Sequence, residues 1–219
     1  MHVSRRSSRC TGFPHAPTFA GFASRVPSCS AQRASLSGQA LYIHAKALLA
    51  QVLLERAFSA SLATASPVKP WSWADTWPVA RISLPRLGAS AIALAGGSGQ
   101  ALAFGPAHLP QTPAAAEPGA AVYAAHRDTH FAFLRHVLPG DLIEVTRSDG
   151  SRHQFRVRAT SVVHWDASGV DPHGPGRSLV LATCWPFEAR TAGPLRFLVH
   201  ADAVEDPAPA SRPSSVAAR

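Results

Sequence analysis

The stretch "DLIEVTRSDGSRHQFRVRATSVVH", residues 141–164, constrains this chain more than any other part of it. Ile143 and Val145 alternate with charged residues, Asp149-Gly150 supplies a turn dipeptide, and Phe155 and Val157 alternate back. Period two on both sides of a turn predicts an antiparallel hairpin with one buried face. The neighbouring segments share this texture. "ARISLPRLG" and "AIALAG" alternate or run apolar over strand lengths and each closes on Gly, while "AAVYAAH", "SLVLATCW" and "PLRFLVHADAV" are further apolar strands. The chain holds 19 Pro and 15 Gly, which favours turns and short elements over long helices. Many short strands with turns between them predict an all-β body at 80–204, a closed or nearly closed β-barrel.

Ahead of that body the pattern changes. In "GQALYIHAKALLAQVLLERAF", residues 38–58, Leu41, Ala45, Leu48 and Val52 recur at helical spacing with Leu49 and Leu53 beside them. This predicts an amphipathic helix, packed on the body or lying at a membrane surface. His44, Lys46, Gln51, Glu55 and Arg56 interrupt it, so it falls short of the roughly 20 apolar residues of a spanning helix. "SPVKPWSWADTWP" then reads as an extended connector held over the body by its three tryptophans, completing a segment at 37–79. Residues 1–36, rich in Ser, Arg and Pro, are expected to be poorly ordered, and 205–219 to be a frayed tail.

Charge and cysteine usage narrow the function. The net charge is +8, but Arg5, Arg6, Arg9, Arg25, Arg33 and Lys46 precede Glu55, the first acidic residue. The rest of the chain therefore carries only +2 and lacks the basic, aromatic-interleaved stripe of a nucleic-acid groove. Three widely spaced cysteines with no CxxC exclude a disulfide framework and a cysteine-rich zinc site. Cys10 and Cys29 could pair in an oxidising compartment.

Cys184 stands apart, at the C-terminal end of an apolar strand. If the next strand, "PLRFLV", pairs with it antiparallel, Arg196 lies across from Cys184 within side-chain reach. A guanidinium there can lower a thiol pKa or stabilise an oxyanion. The "AVYAA" strand delivers His126 at its exit, where polar residues crowd in and a proton-transfer partner could face a cleft. Each residue also has an inert reading: a buried structural cysteine, one of 11 histidines, a solvated strand-end arginine. On the residues alone, a Cys/His/Arg site and a buried cysteine both stay open.

"AAHRDTHFAFL" resembles the histidine motif of sortases, "LATCWPF" their Thr-Cys motif with its aromatic-Pro-Phe continuation, and "GPLRFLVHA" their arginine strand. Together with the helix and "VKPWSWADTWPVARI", these motifs resemble proteobacterial sortases of class GN over roughly residues 38–204. The resemblance implies an eight-stranded β-barrel cysteine transpeptidase of the cell envelope, at the periplasmic face of the inner membrane. Its substrate would be a protein with an LPxTG-like C-terminal sorting signal, one dedicated surface protein for class GN. Cys184 would be the nucleophile, His126 the general acid and then base, and Arg196 the substrate clamp and oxyanion stabiliser. The thioacyl-enzyme would pass to an amine acceptor, or to water, without metal or cofactor. Thr183, lining the groove, would bind substrate, with Ala125 and Asp128 as further substrate-binding residues. Ala125 replaces the glycine of Gly-His-Arg, and Val180 the first threonine of Thr-Leu-x-Thr-Cys. Such sortases normally carry an apolar anchor ahead of the helix, whereas this segment is Ser/Arg/Pro-rich; another anchor, or another native start, is expected. The rival readings are a cysteine hydrolase of the same thioacyl chemistry and a non-catalytic envelope β-barrel binding module.

Overall fold

A computed structural model describes the backbone of residues 29–204, with side chains from Lys46 onward except that of Gln100. Two compact units divide the chain, Met1–Tyr42 and Ile43–Arg219. The first contributes only the opening of one helix to the described residues, and the second holds every strand. The expectations for residues 1–28, for the tail from 205 and for a Cys10–Cys29 bridge lie outside the described residues.

Helix α1 (Cys29–Thr64) begins upstream of Gly38 and continues past Phe58. Eight strands come after it: β1 (Pro78–Leu84), β2 (Ala89–Ala95), β3 (Ala107–His108), β4 (Gly119–Ala124), β5 (Leu142–Arg147), β6 (Arg152–His164), β7 (Arg177–Cys184) and β8 (Leu195–Ala203). A short helix, α2 (Gly99–Phe104), links β2 to β3 and is capped by Ser98, whose hydroxyl accepts the Ala101 N–H at 3.2 Å. The strands close in the order β1-β2-β3-β4-β7-β8-β6-β5, so the expected closed eight-stranded all-β barrel is present.

Alternation built it as the sequence indicated. Ile143 sits opposite Phe155 across the β5–β6 hairpin, and both are fully buried, as are Val145 and Val157. Gly150 takes φ +87 in the connecting turn, a left-handed conformation that glycine adopts without steric cost. Ile82, Leu84, Tyr123, Phe155, Leu179, Leu181 and Val199 fill the interior. Two pairings are parallel, β2 with β3 and β4 with β7.

Helix α1 covers the outside of β2 and α2. Leu54 and Phe58 pack on Ile92, Leu94, Ala101 and Ala107, and Gln51 donates to the carbonyl of Phe104 at 2.8 Å. Arg81 spans the Phe58 ring and pairs with Glu55. Not all of the connector is held over the body. Trp71 packs edge-on to Phe104 at 5.0 Å and Trp77 is half-buried, but Trp73 is 80% exposed.

Candidate active site

Strand β7 reads as a continuous apolar run because both of its faces are covered. Leu179 and Leu181 point into the barrel, whereas Val180, Ala182 and Cys184 line a groove on its outside. Strand β4 contributes Val122 and Ala124 to the same groove, and β8 contributes Arg196 and Leu198. Period two along three adjacent strands thus makes one floor, with Val122, Val180 and Leu198 buried together at its centre. Val180, where a threonine was expected, keeps that floor apolar.

Register places the reactive groups. In the parallel β4–β7 pair, Val122 aligns with Val180 and Ala124 with Ala182. His126 follows two residues after the end of this ladder and lines the same groove as Cys184. On the other side, antiparallel pairing makes Arg196 the direct partner of Cys184, as the sequence predicted. Adjacent strands lie about 4.7–4.9 Å apart, so the arginine stands one strand spacing from the cysteine. All three line the groove, whose volume is about 450 Å³, within the usual range for ligand pockets.

Several contacts hold this arrangement. The Ala125 N–H donates to the Ala182 carbonyl at 3.1 Å, and the buried Thr183 hydroxyl donates to the Ala125 carbonyl at 2.7 Å. These bonds keep the β4 exit against β7 after the ladder ends. The His126 carbonyl accepts the Phe131 N–H at 3.1 Å, closing the histidine loop. Arg127 donates from Nη2 to the carbonyls of Ala189 and Thr191, fastening that loop to the β7–β8 connection. Behind Cys184, the rings of Trp185, Phe187 and Phe197 pack with centroids 5.3–5.7 Å apart, Trp185 stacked on Phe197 and Phe187 edge-on to both. The Trp-Pro-Phe continuation therefore anchors the segment that follows the thiol.

Arg196 is half-buried, and Nη1 donates to the carbonyls of Gly193 at 2.8 Å and Leu195 at 2.9 Å. Both bonds engage one nitrogen, and Nη2 and Nε make no hydrogen bond to a described residue. The lining residues include no carboxylate. Thr183 and Ala125 are among the groove's lining residues, whereas Asp128 is not. His130, in the same loop, is half-buried; burial holds its pKa below the ordinary range, against a hydrogen bond to the Ala103 carbonyl and with the neighbouring His126 adding to the depression. No group of metal-ligating side chains occurs among the described residues.

Sequence reasoning did not single out the groove's outer wall. The β6–β7 connection, residues 165–176, places Trp165, Val170 and Pro172 along it, with Trp165 62% exposed at the rim. A tryptophan in a Gly/Pro-rich loop was the available signal. Gly119 fixes this loop: at φ +109, a Cβ on it would meet the Pro172 carbonyl oxygen at 2.1 Å. The Ala120 N–H donates to that same oxygen at 3.1 Å.

A thiol, an imidazole and a guanidinium that line one apolar groove have the parts for acyl transfer. A family model described as "Sortase domain" matches residues 82–204, more than half of the chain. Among solved structures, sortase A from Corynebacterium diphtheriae is similar at TM-score 0.54 and 22% identity, covering 73% of this chain and 86% of that one. Sortase C-1 from Actinomyces oris is similar at TM-score 0.51 and 26% identity, covering 59% and 76%. Listeria monocytogenes sortase A is similar at 0.52 and 19%, covering 58% and 88%. No curated protein sequence matches that of the chain.

Proposed function

Since the chain belongs to the sortase family, whose members are cysteine transpeptidases, we propose that it cleaves an LPxTG-like C-terminal sorting signal and joins the released acyl group to an amine. What supports this reading is that Cys184, His126 and Arg196 line one groove, with Cys184 and Arg196 direct partners in the β7–β8 pair. The Cys184 thiolate attacks the threonine carbonyl of the signal, forming the S–C bond. Arg196 donates to the resulting oxyanion. His126, as imidazolium, passes its proton to the leaving amine as the C–N bond breaks. The acceptor amine then attacks the thioester, giving a proton to His126, and the Cys184 thiolate departs. Every atom and proton is accounted for without a metal or redox partner.

The apolar floor of Val122, Val180 and Leu198 suits the aliphatic side chain of the signal. The lack of carboxylates among the lining residues leaves Arg196 free of a competing anion there. By its motifs the chain is a class GN enzyme, serving one dedicated surface protein at the periplasmic face of the inner membrane. Thr183 and Ala125 shape the groove, and Asp128 supports the histidine loop.

The test offers the protein a fluorogenic LPxTG-type peptide with and without an amine acceptor. A ligated product that is lost in Cys184→Ala supports transpeptidation, while free acid alone, even with abundant amine, makes it a hydrolase. Slow alkylation of Cys184 by iodoacetamide at neutral pH, indifferent to His126→Ala, would instead leave a non-catalytic barrel.

A further inference from the structure

The β7–β8 connection, residues 185–194, is held unevenly along its length. Its ends are fixed: the Trp185 N–H donates to the Leu195 carbonyl at 3.0 Å, Phe187 is buried, and the Pro194 carbonyl accepts the Trp165 N–H at 2.9 Å. Between them, Arg190, Thr191 and Ala192 have exposed side chains. Among the described residues, two arginines make every hydrogen bond to residues 190–193. Arg127 donates from Nη2 to the Thr191 carbonyl at 2.8 Å, and also to that of Ala189. Arg196 donates from Nη1 to the Gly193 carbonyl at 2.8 Å. A segment with so few bonds of its own takes its position from the groups that grip it.

The two grips are close along the chain and attach to different parts of the site. Thr191 and Gly193 are two residues apart, a span of at most about 7 Å. Arg127 follows His126 directly, and Arg196 is the strand partner of Cys184. The gripped backbone therefore joins the histidine loop to the arginine that faces the thiol strand.

Arg127 occupies this place at a cost. It forms no ion pair among the described residues, although Asp128 adjoins it in sequence and Glu188 precedes Ala189. Its Nη1 is buried without a hydrogen-bond partner. Buried unpaired donors are destabilising and uncommon, so packing does not explain a guanidinium here. Its reach to two carbonyls of the connection does.

We infer that Arg127 is a positioning residue for acyl transfer: gripping the connection from the histidine loop, it sets the guanidinium of Arg196 in the groove. Without that grip residues 189–193 shift, the Gly193 carbonyl moves, and Arg196 follows it away from Cys184. The inference rests on the proposed transpeptidation for its kinetic consequences. Its geometry is read separately, by alkylation of Cys184 without substrate.

The experiment is a double-mutant cycle on the full chain, combining Arg127→Met with Arg196→Ala. Iodoacetamide labelling at neutral pH is followed on the Cys184 peptide by mass spectrometry, beside cleavage of an LPxTG-type peptide, with thermal melting as the fold control. Arg127→Met should slow Cys184 labelling at least about threefold and lower kcat at least about tenfold, because a displaced guanidinium supports neither thiolate nor oxyanion. In the Arg196→Ala background the same substitution should change each rate by less than about twofold, since the group it positions is gone. Equal losses in both backgrounds overturn the inference, because Arg127 then supports the fold in general. So do unchanged labelling and kcat in Arg127→Met. Arg127→Gln keeps two N–H bonds on one nitrogen without the charge, and should retain more of both rates than Arg127→Met. Recovery in Arg127→Lys but none in Arg127→Gln assigns the effect to charge and also overturns the inference. Where Arg127→Met does not fold, the cycle with Arg127→Gln decides by the same comparison of backgrounds. A wild-type protein that cleaves no peptide counts against the proposed function alone, and labelling still decides the role of Arg127.

Discussion

Thr183 is 2% exposed, and its hydroxyl donates at 2.7 Å to the carbonyl of Ala125, the residue before His126. The backbone ladder between β4 and β7 ends at Ala124 and Ala182. From there the hydroxyl holds the β4 exit, which leads into His126, against β7. Thr183→Val keeps the shape and removes the donor, stranding a buried carbonyl at a cost of about 1–3 kcal/mol. Melting should fall by roughly 2–4 °C per kcal/mol for a domain of this size. Peptide-cleavage kcat/KM should fall more than about tenfold, because small misplacements of a proton-transfer group are expensive. Thr183→Ser, which keeps the hydroxyl, should retain most of the rate; a Val variant with wild-type kinetics would refute this role. Arg196 gives a second contrast. Arg196→Ala should lower kcat by about 10²–10³, as for loss of an oxyanion donor. Arg196→Lys should recover only part of it, since an ammonium lacks the planar fork. Cys184 facing Arg196 was legible from sequence because an antiparallel pair separated by a short loop fixes its own register. His126 in the same groove as Cys184 was not legible from spacing, since it depends on a parallel pairing between distant segments that no local pattern specifies.

Among the elements, the start of β5 carries a buried carboxylate whose partners predict an acid response. Arg86 donates from Nε and Nη2 to the two oxygens of Asp141, and the Leu138 N–H donates to Oδ2 at 2.8 Å. The hydrogen bond from Arg86 is the main cause holding the Asp141 carboxyl below its ordinary value. A carboxyl depressed in the folded state contributes stability that is complete above the unfolded pKa, about 3.9, and is lost as pH falls through the folded value. Asp141→Asn should therefore lower the melting temperature at neutral pH and flatten its fall below about pH 4. It should not abolish that fall, because Asp149 is also depressed, by the Ser151 hydroxyl. An unchanged acid limb in Asp141→Asn would count against the assignment. The β6–β7 connection gives a different outcome. In Gly119→Ala the new Cβ would meet the Pro172 oxygen, displacing the loop that carries Trp165 and Val170. Peptide KM should rise more than kcat falls, measured at saturating and limiting peptide. The hairpin of β5 and β6 was fully legible, since alternation and Asp149-Gly150 agree. The two faces of α1 were not. Periodicity selects its leucine stripe, while the barrel takes a stripe of Ala, Phe, Ser and one Leu that is weaker in hydrophobicity but smaller and closer-packing.

At the scale of the whole molecule, helix α1 and the groove are linked through α2. Phe58 is fully buried against Leu94, Ala101 and Ala107, outside the barrel. The same short helix α2 presents Leu102 to the groove and the Ala103 carbonyl to His130, in the loop that follows His126. Truncating Phe58 to Ala leaves a cavity beneath α2 and costs about 3–5 kcal/mol. Because interiors are close-packed, α2 settles toward that cavity and takes the groove wall with it. Below its melting temperature, Phe58→Ala should therefore raise KM through Leu102 and lower kcat through the histidine loop. Leu49→Ala, on the exposed face of the same helix, should change stability by no more than about 0.5 kcal/mol and leave both constants unchanged in solution. A Phe58→Ala protein that melts earlier yet keeps both constants would make α1 a passive cover. A rise in KM and a loss of kcat would instead show that the outer helix sets the shape of the site it never touches.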